Sequence, residues 1–296
     1  MTANADSTRT AGSDVLLMGA VAYDPKVVTI WDGFRRWLIG HDLAVDYVLY
    51  SNYERQVEDL VAGRIHAAWN SPLAWVRARR LAAAHGATVS ALVMRDTDQD
   101  LSSVVVVRAD SPAHSAGDLT GCVVATGAID SPQATLLPID ALRSAGLRVG
   151  EDLTIRRFDI GVGLHGDHIG GERAAARALM AGLVDGACMI DANHLAFTTE
   201  GILNPGATRI ICQTEPFDHC NMTVIDSAPA ALAARFGELL LAMDYSDPEV
   251  RPLLDLEGLT AWRPGRVSGY RALEQAVDNA GFYDAEGRIC AAGYRP

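Results

Sequence analysis

Three short polar segments combine histidine with carboxylate side chains and, in one case, with a thiol. They are 165–168 (His-Gly-Asp-His), 191–194 (Asp-Ala-Asn-His) and 218–221 (Asp-His-Cys-Asn). Each is expected to follow a strand end or a chain crossing, where ligand-contacting residues lie in open α/β sheets. Imidazole, carboxylate and thiolate groups bind divalent transition metals. The pattern predicts a site for iron or zinc, assembled on closure of a cleft, with the candidate ligands His165, His168, His194 and His219.

Ordinary structural roles are the alternative for these histidines. The sequence has no H-E-x-x-H or other fixed metal-binding spacing. His165 and His168 lie in a Gly-rich stretch, so solvated loop side chains explain them equally well. His194 is equally explained as a hydrogen-bonded residue at the start of a helix.

The same segments also allow chemistry without a metal. Cys220 is a candidate thiolate nucleophile, and His219 is a candidate general base held by Asp218 or Asp191. Adjacent residues of an extended strand point to opposite faces, so only one of His219 and Cys220 is expected to enter a pocket. The candidate catalytic residues are His219, Cys220, His194 and Glu172.

Aromatic, amide and hydroxyl side chains are expected to form the ligand-binding rim of the cleft. Ser71 precedes Pro72 at a predicted helix start, where free N–H groups suit an anion. Interlobe packing is the alternative role for the tyrosines. The candidate ligand-binding residues are Tyr23, Tyr50, Tyr53, Asn70, Ser71, Ser131, Gln133 and Asp191.

Length and composition limit the classes of function. A chain of 296 residues with 49% hydrophobic and 21% charged residues is expected to fold as two globular domains. The formal charge of −12 disfavours a nucleic-acid partner. Five cysteines without a C-x-x-C pair argue against a disulfide framework. The polar first 14 residues and the absence of a bilayer-length apolar run predict a cytoplasmic protein that does not insert into membranes.

Short apolar runs alternate with helical stretches from residue 15 onward, which is typical of an α/β protein. The pattern restarts near residue 110. We therefore expect one lobe from 1–107 with 222–296 and a second lobe from 108–221. The chain is expected to cross between them near 105–109 and 214–222.

Several ordered segments resemble the type II periplasmic-binding-protein family, in particular the substrate-binding proteins of phosphate, phosphite and phosphonate ABC importers. The resembling segments are Tyr23-Asp24-Pro25, 61–75, 103–111, 117–122, 136–138 and 178–187. The resemblance covers roughly residues 15 to 225. It implies two α/β lobes joined by two crossings, with a ligand clamped in the cleft between them.

The chain departs from this family at the expected ligand site, and its polar first residues are not expected to form a signal peptide. Ser131-Pro132-Gln133-Ala134 stands where the family has a Ser-Thr-Ser-Gly run that grips the anion. Glu172 stands where a phosphonate-binding histidine is expected, and its carboxylate would repel a phosphonate.

Two functional hypotheses remain open at this point. The favoured one is a cytoplasmic enzyme that acts on a small polar or anionic molecule in the cleft by metal-assisted or His/Cys acid–base chemistry. Its reaction class, whether lyase, hydrolase or oxidoreductase, is undefined. The alternative is a non-catalytic solute-binding or sensing protein of a phosphonate-type ABC uptake system. An ABC permease is a partner only under this alternative.

Overall fold

Two separate β-sheets organise the chain in the computed structural model, which describes residues 15–296. The first sheet has six strands and the second has five. In chain order the strands are β1 (Leu16–Val21), β2 (Val45–Tyr50), β3 (Ala67–Asn70), β4 (Val89–Arg95), β5 (Ser103–Arg108), β6 (Val123–Thr126), β7 (Thr154–Arg157), β8 (Gly186–Ile190), β9 (Thr208–Gln213), β10 (Asn221–Ile225) and β11 (Trp262–Pro264).

Both sheets mix parallel and antiparallel pairs. The first has the order β11-β4-β10-β3-β1-β2, and the second has the order β7-β6-β8-β5-β9. In the first sheet β1 runs parallel to β2 and β3, while the returning strand β10 runs antiparallel to β3 and β4. This arrangement confirms the predicted two-lobed α/β fold with an interlobe cleft.

Helices cover both sheets. Among residues 15–296, no helix is both long enough and apolar enough to cross a membrane. In chain order the helices are α1 (Lys26–Gly40), α2 (Tyr53–Val61), α3 (Pro72–Ala84), α4 (Leu137–Ser144), α5 (Gly170–Met180), α6 (Asp191–Thr199), α7 (Ala230–Leu241), α8 (Arg251–Glu257) and α9 (Arg271–Ala280), and a π-helical turn at Pro132–Leu136 leads directly into α4.

The first crossing between the sheets lies earlier than the sequence suggested. The expected crossing near 105–109 falls within β5, which pairs with β8 on one side and β9 on the other. Residues 103–107 are all buried in that sheet, so they cannot form an exposed bridge. The chain instead passes to the second sheet at 96–102 and returns at 214–220.

Two helix starts near the cleft depend on side-chain caps. Ser71 Oγ accepts the Ala74 N–H at 3.1 Å, as the Ser-Pro pattern predicts. The start of α2 is capped by an asparagine. Asn52 Oδ1 caps the helix by accepting the Arg55 N–H at 2.9 Å, and Glu54 is free to turn into the protein interior.

An apolar cluster ties the C-terminal part of the chain to both lobes. It joins Trp75 of α3 in the first lobe to Leu137 of α4 in the second, through Tyr270 and Phe282. All four side chains are buried. Burial of large apolar side chains contributes about 1.5–3 kcal/mol each. This cluster therefore stabilises the close approach of the lobes that encloses the cleft.

Candidate ligand-binding site

A cavity of about 260 Å³ lies between the two lobes. Side chains of both sheets and of both crossings converge on it, so it is the place where strand ends of the two lobes meet. Its lining residues are Tyr23, Trp69, Arg95, Thr97, Asp98, Leu101, Gln133, Gly166, Asp167, Ile169, Ile190, Ala192, Asn193, His219 and Cys220.

One wall of the cavity is aromatic and rigidly supported. The Trp69 ring packs edge-on against Trp262, with ring centroids 5.5 Å apart, and against Trp31 at 6.2 Å. The Arg95 guanidinium lies 5.5 Å from the Trp69 ring centroid. Tyr23 completes this wall. The aromatic wall therefore presents both a flat apolar surface and a fixed positive charge beside it.

Arg95 holds two carboxylates at the base of the cavity. Its Nε and Nη2 atoms donate to the two oxygens of Asp98 at 2.6 and 2.8 Å, and Nη1 lies 3.4 Å from Glu257 Oε1. Burial alone would raise the pKa of Asp98, but the charge and hydrogen bonds of Arg95, together with His219, lower it to about 2. Burial raises the pKa of Glu257 to about 7.

A third carboxylate faces this group from the second lobe. Asp167 is half-buried and accepts a hydrogen bond from the Tyr53 hydroxyl. Burial raises the pKa of Asp167. Among the described residues, three carboxylates thus surround the guanidinium of Arg95 and the imidazole of His219. Three carboxyl groups therefore lie close to a single guanidinium, and a positively charged group entering the cavity would stabilise the ionised forms of Asp167 and Glu257.

Glu172 lies behind the cavity wall and does not line the cavity, contrary to the prediction that it faces the ligand. Its Oε2 accepts hydrogen bonds from the Ile190 N–H at 3.1 Å and from Asn193 Nδ2 at 2.8 Å. Its Oε1 is buried without a partner. Burial raises the pKa of Glu172 to about 7. Glu172 therefore braces the start of α6 beneath the cavity.

Replacing Glu172 by glutamine is expected to flatten the pH dependence of stability between about pH 4.5 and 7. The folded protein holds this proton to about pH 7, whereas the unfolded chain releases it near 4.5, so wild-type stability falls as the pH rises through this window. Glutamine does not titrate, so the free energy of unfolding of the variant should rise relative to that of wild type by on the order of 2 kcal/mol between pH 5 and pH 8. Urea unfolding at both pH values measures this difference.

The exposed substitution Glu249→Gln serves as the control, because Glu249 is on the surface. It should leave the pH dependence of wild type unchanged. Parallel wild-type and Glu172→Gln stability curves would show that Glu172 is ionised in the folded protein.

The four predicted metal-binding histidines do not converge. His219 is the member of this set that lines the cavity. His194 Nε2 is hydrogen-bonded to Thr208 Oγ1 at 2.9 Å, and exposed His168 Nδ1 accepts the Gly170 N–H at 3.2 Å. His165 is fully buried rather than solvated. The other three histidines therefore lie in three different places and do not form a metal site with His219.

His165 belongs to a buried network between the lobes. Its Nδ1 lies 2.7 Å from Ser71 Oγ, and its Nε2 lies 3.1 Å from Glu54 Oε1. This order of groups matches that of a hydrolytic triad. Ser71 and His165 have 0% exposed area, however, so no substrate reaches them. Ser71 is therefore an interlobe contact and does not bind an anion at the cavity.

Most other predicted ligand-binding residues are also occupied elsewhere. Of the eight candidates, Tyr23 and Gln133 line the cavity. Tyr53 stacks on His165 with ring centroids 4.9 Å apart. Besides Ser71, the remaining four are held by hydrogen bonds within the protein: Tyr50 to Asp59, Asn70 to Gln56 and Thr223, Ser131 to the Ala134 N–H, and Asp191 to Ser102 and the Ala192 N–H.

His219 and Cys220 both border the cavity, although the sequence predicted that only one of them would. They precede β10 and lie in the crossing at 214–220, so the alternation of an extended strand does not apply. Burial and the neighbouring carboxylates raise the pKa of the Cys220 thiol. A thiol of this kind is a poor nucleophile.

Arg95, Asp98, Asp167 and Asn193 line the cavity but were not among the predicted site residues. Asp167 and Asn193 are the third residues of the His-Gly-Asp-His and Asp-Ala-Asn-His segments, whose histidines carried the metal-binding prediction. Asp98 lies in the acidic loop 96–100 before β5. Nothing local in the sequence distinguishes Arg95.

The sequence profile of one family matches residues 22–270, and its description is ABC transporter, phosphonate, periplasmic substrate-binding protein. The chain belongs to this family. The resemblance found in the sequence is thereby confirmed. Among curated proteins, none matches the chain.

Solved structures share the fold of this family member at low sequence identity. PhnD1 from Prochlorococcus marinus in complex with methylphosphonate is 16% identical, with a TM-score of 0.66, over 90% of this chain and 98% of that one. XAC2383 from Xanthomonas citri bound to ATP is 19% identical, with a TM-score of 0.68 and the same coverage. The aliphatic sulphonate binding protein SsuA from Escherichia coli is 18% identical, with a TM-score of 0.52, over 90% of each chain.

Membership in the phosphonate-binding family corrects the favoured hypothesis from the sequence. The prediction of an enzyme was wrong, because the family consists of substrate-binding proteins. The catalytic roles assigned to His219, Cys220, His194 and Glu172 fall with it. The prediction of a cytoplasmic location was also wrong, because the family is described as periplasmic. The N-terminal segment on which that prediction rested lies outside the described residues.

Proposed function

We propose that this protein is the substrate-binding component of an ABC uptake system and that it captures a small polar molecule between its lobes. The cavity between the two sheets carries this proposal, because residues of both lobes and both crossings line it. In a protein of this family, such a cavity is where a solute is enclosed. An ABC permease is then the partner that receives the solute.

Hinge bending at the two crossings opens and closes the cavity in this proposal. Segments 96–102 and 214–220 are the connections between the sheets. They contribute Asp98, Leu101 and His219 to the cavity lining. Ligand contacts at the hinge itself favour the closed state, since a ligand shifts a two-state equilibrium toward the state that it binds better.

The ligand in this proposal carries a positively charged group. The carboxylates Asp98, Asp167 and Glu257 surround the charge of Arg95, and the aromatic wall of Tyr23 and Trp69 suits a cation as well as an apolar chain. The anion-gripping run of the family is replaced here, and the hydroxyl of Ser131 is engaged by the Ala134 N–H at 3.1 Å. A simple phosphonate or sulphonate anion therefore has less support than a zwitterion.

Matched pairs of solutes test the proposed function directly. We expect 2-aminoethylphosphonate to bind at least tenfold more tightly than ethylphosphonate, because each hydrogen bond to a charged group contributes about 1.5–3 kcal/mol. Taurine should bind more tightly than ethanesulphonate for the same reason. The substitution Asp167→Asn should remove most of this preference. Isothermal titration calorimetry of the full chain in buffer containing EDTA measures all four affinities.

The exposed substitution Asp110→Asn is the matched control and should leave the preference for the ammonium group intact, since Asp110 lies on the surface of the second lobe. Equal affinities within each pair would contradict the proposal that the ligand carries a positively charged group. Failure of all four solutes to bind would count against capture of small phosphonates and sulphonates altogether.

A further inference from the structure

Three side chains with different donor atoms meet on one side of the cavity. His219 Nδ1 lies 3.1 Å from Cys220 Sγ and 3.6 Å from Asp98 Oδ1. All three donor atoms lie within 4.8 Å of one another. The main chain fixes this group, because the His219 N–H donates to the Asp98 carbonyl at 2.8 Å. The two crossings between the lobes therefore hold the three donors together.

These separations are close to those of a tetrahedral metal site. Bonds of about 2.0–2.3 Å from zinc to nitrogen, oxygen and sulfur place neighbouring donors about 3.3–3.6 Å apart. The separations of 3.1 and 3.6 Å are close to these values, and the donors of Cys220 and Asp98, which lie within 4.8 Å of each other, come into range by side-chain rotation. A mixed set of imidazole, carboxylate and thiolate selects a transition metal over calcium or magnesium.

The surroundings of the three donors also suit a cation. Asp98 and Cys220 are buried, and His219 is half-buried, so a bound metal would be largely shielded from water. Arg95 donates to both oxygens of Asp98, and each carboxylate oxygen retains a second lone pair for a metal; Arg95 is also shared with buried Glu257. Asp167 faces the same space from the second lobe. The carboxylates thus offset the positive charges of both Arg95 and a divalent ion.

We propose that Asp98, His219 and Cys220 bind a divalent transition metal such as Zn²⁺, with a further coordination position open to the cavity. This inference rests on the proposed function and narrows the chemistry of its ligand: the open coordination position takes an oxygen of the anionic group of the solute, while Asp167 remains available to its ammonium group. On binding, the metal replaces the Cys220 thiol proton, which passes to solvent. Of the histidines suggested by the sequence, His219 alone belongs to this site.

Zinc and cobalt titrations of the untagged full chain test this proposal without any organic solute. After EDTA treatment and its removal, we expect one Zn²⁺ per chain by calorimetry and a thiolate-to-metal charge-transfer band on addition of Co²⁺. Cys220→Ser should abolish the band, and both Cys220→Ser and His219→Ala should weaken zinc binding at least tenfold. Cys290→Ser and His168→Ala are the controls, because both side chains are exposed.

The outcomes separate this inference from the proposed function. Zinc binding that is unchanged in Cys220→Ser and His219→Ala, or a band that disappears in Cys290→Ser, would overturn the metal site. Absence of stoichiometric zinc binding by the wild-type protein would overturn it as well. Thermal unfolding without metal shows that the variants are folded. The solute titrations in EDTA report on the proposed function independently, because no free metal is present in them.

Discussion

Replacing Glu54 by alanine is expected to lower the free energy of unfolding by about 3–5 kcal/mol, the range for breaking a buried ionic group. Glu54 is 3% exposed, and its Oε1 accepts the Tyr283 hydroxyl at 2.5 Å and the Tyr294 hydroxyl at 2.8 Å. The same oxygen lies 3.1 Å from His165 Nε2, and Oε2 lies 2.7 Å from Arg77 Nη1. Alanine removes the acceptor shared by Tyr283, Tyr294 and His165, and it leaves the buried Arg77 with Glu58 as its remaining carboxylate partner. Urea-induced unfolding at pH 7 measures the loss.

The pH dependence identifies the carboxylate as the cause. Burial would raise the pKa of Glu54, but the hydrogen bond and charge of His165, together with Arg77, lower it to about 2. The advantage of wild type over Glu54→Ala should therefore persist above about pH 4.5 and shrink as the pH falls toward 2. The surface substitution Glu238→Ala should stay within about 0.5 kcal/mol of wild type. A Glu54→Ala protein as stable as this control at pH 7 would show that the network contributes nothing.

Local patterns in the sequence were sufficient to predict the fold. Strand and helix periodicity is set by neighbouring residues, and the Ser71-Pro72 helix start was confirmed because a capping bond spans only three residues. The position predicted for the first crossing was wrong because the valine-rich sequence of β5 fits a connecting strand between lobes as well as a central strand of one sheet. Its pairing with β8 and β9 depends on residues about 80 and 100 positions away.

The site was predicted less well because its partners are far apart in the sequence. Glu257 lies 162 residues from Arg95, and Tyr294 lies 240 residues from Glu54. His165 was expected in a solvated Gly-rich loop, but its backbone has φ of +49° and its side chain is fully buried between the lobes. The type of each candidate residue indicated which chemistry its side chain could perform. Whether a ligand can reach that side chain depends on its burial and its hydrogen-bond partners, which the structure shows.

Replacing Arg95 by methionine is also expected to cost about 3–5 kcal/mol of stability at pH 7. Methionine fills much of the same volume but leaves Asp98 and Glu257 without their cation. Asp98 is 1% exposed and Glu257 is 6% exposed, so both carboxyl groups are largely shielded from water. Arg95 Nη1 also donates to the Glu257 carbonyl at 2.9 Å, which ties the end of α8 to the end of β4. Chemical unfolding in EDTA measures the loss.

A double variant shows whether the unpaired carboxylate causes this loss. Adding Asp98→Asn to Arg95→Met removes one buried charge, so the double variant should regain at least about 1 kcal/mol relative to Arg95→Met alone. Lost packing against Trp69 would give no such recovery, because Asp98→Asn leaves the ring contact unchanged. The exposed pair of Arg235 and Glu238, 3.7 Å apart, is the control, and Arg235→Met should change stability by less than about 0.5 kcal/mol. Additive losses in the double variant would assign the role of Arg95 to packing on Trp69 and remove charge balance from the account of this cavity.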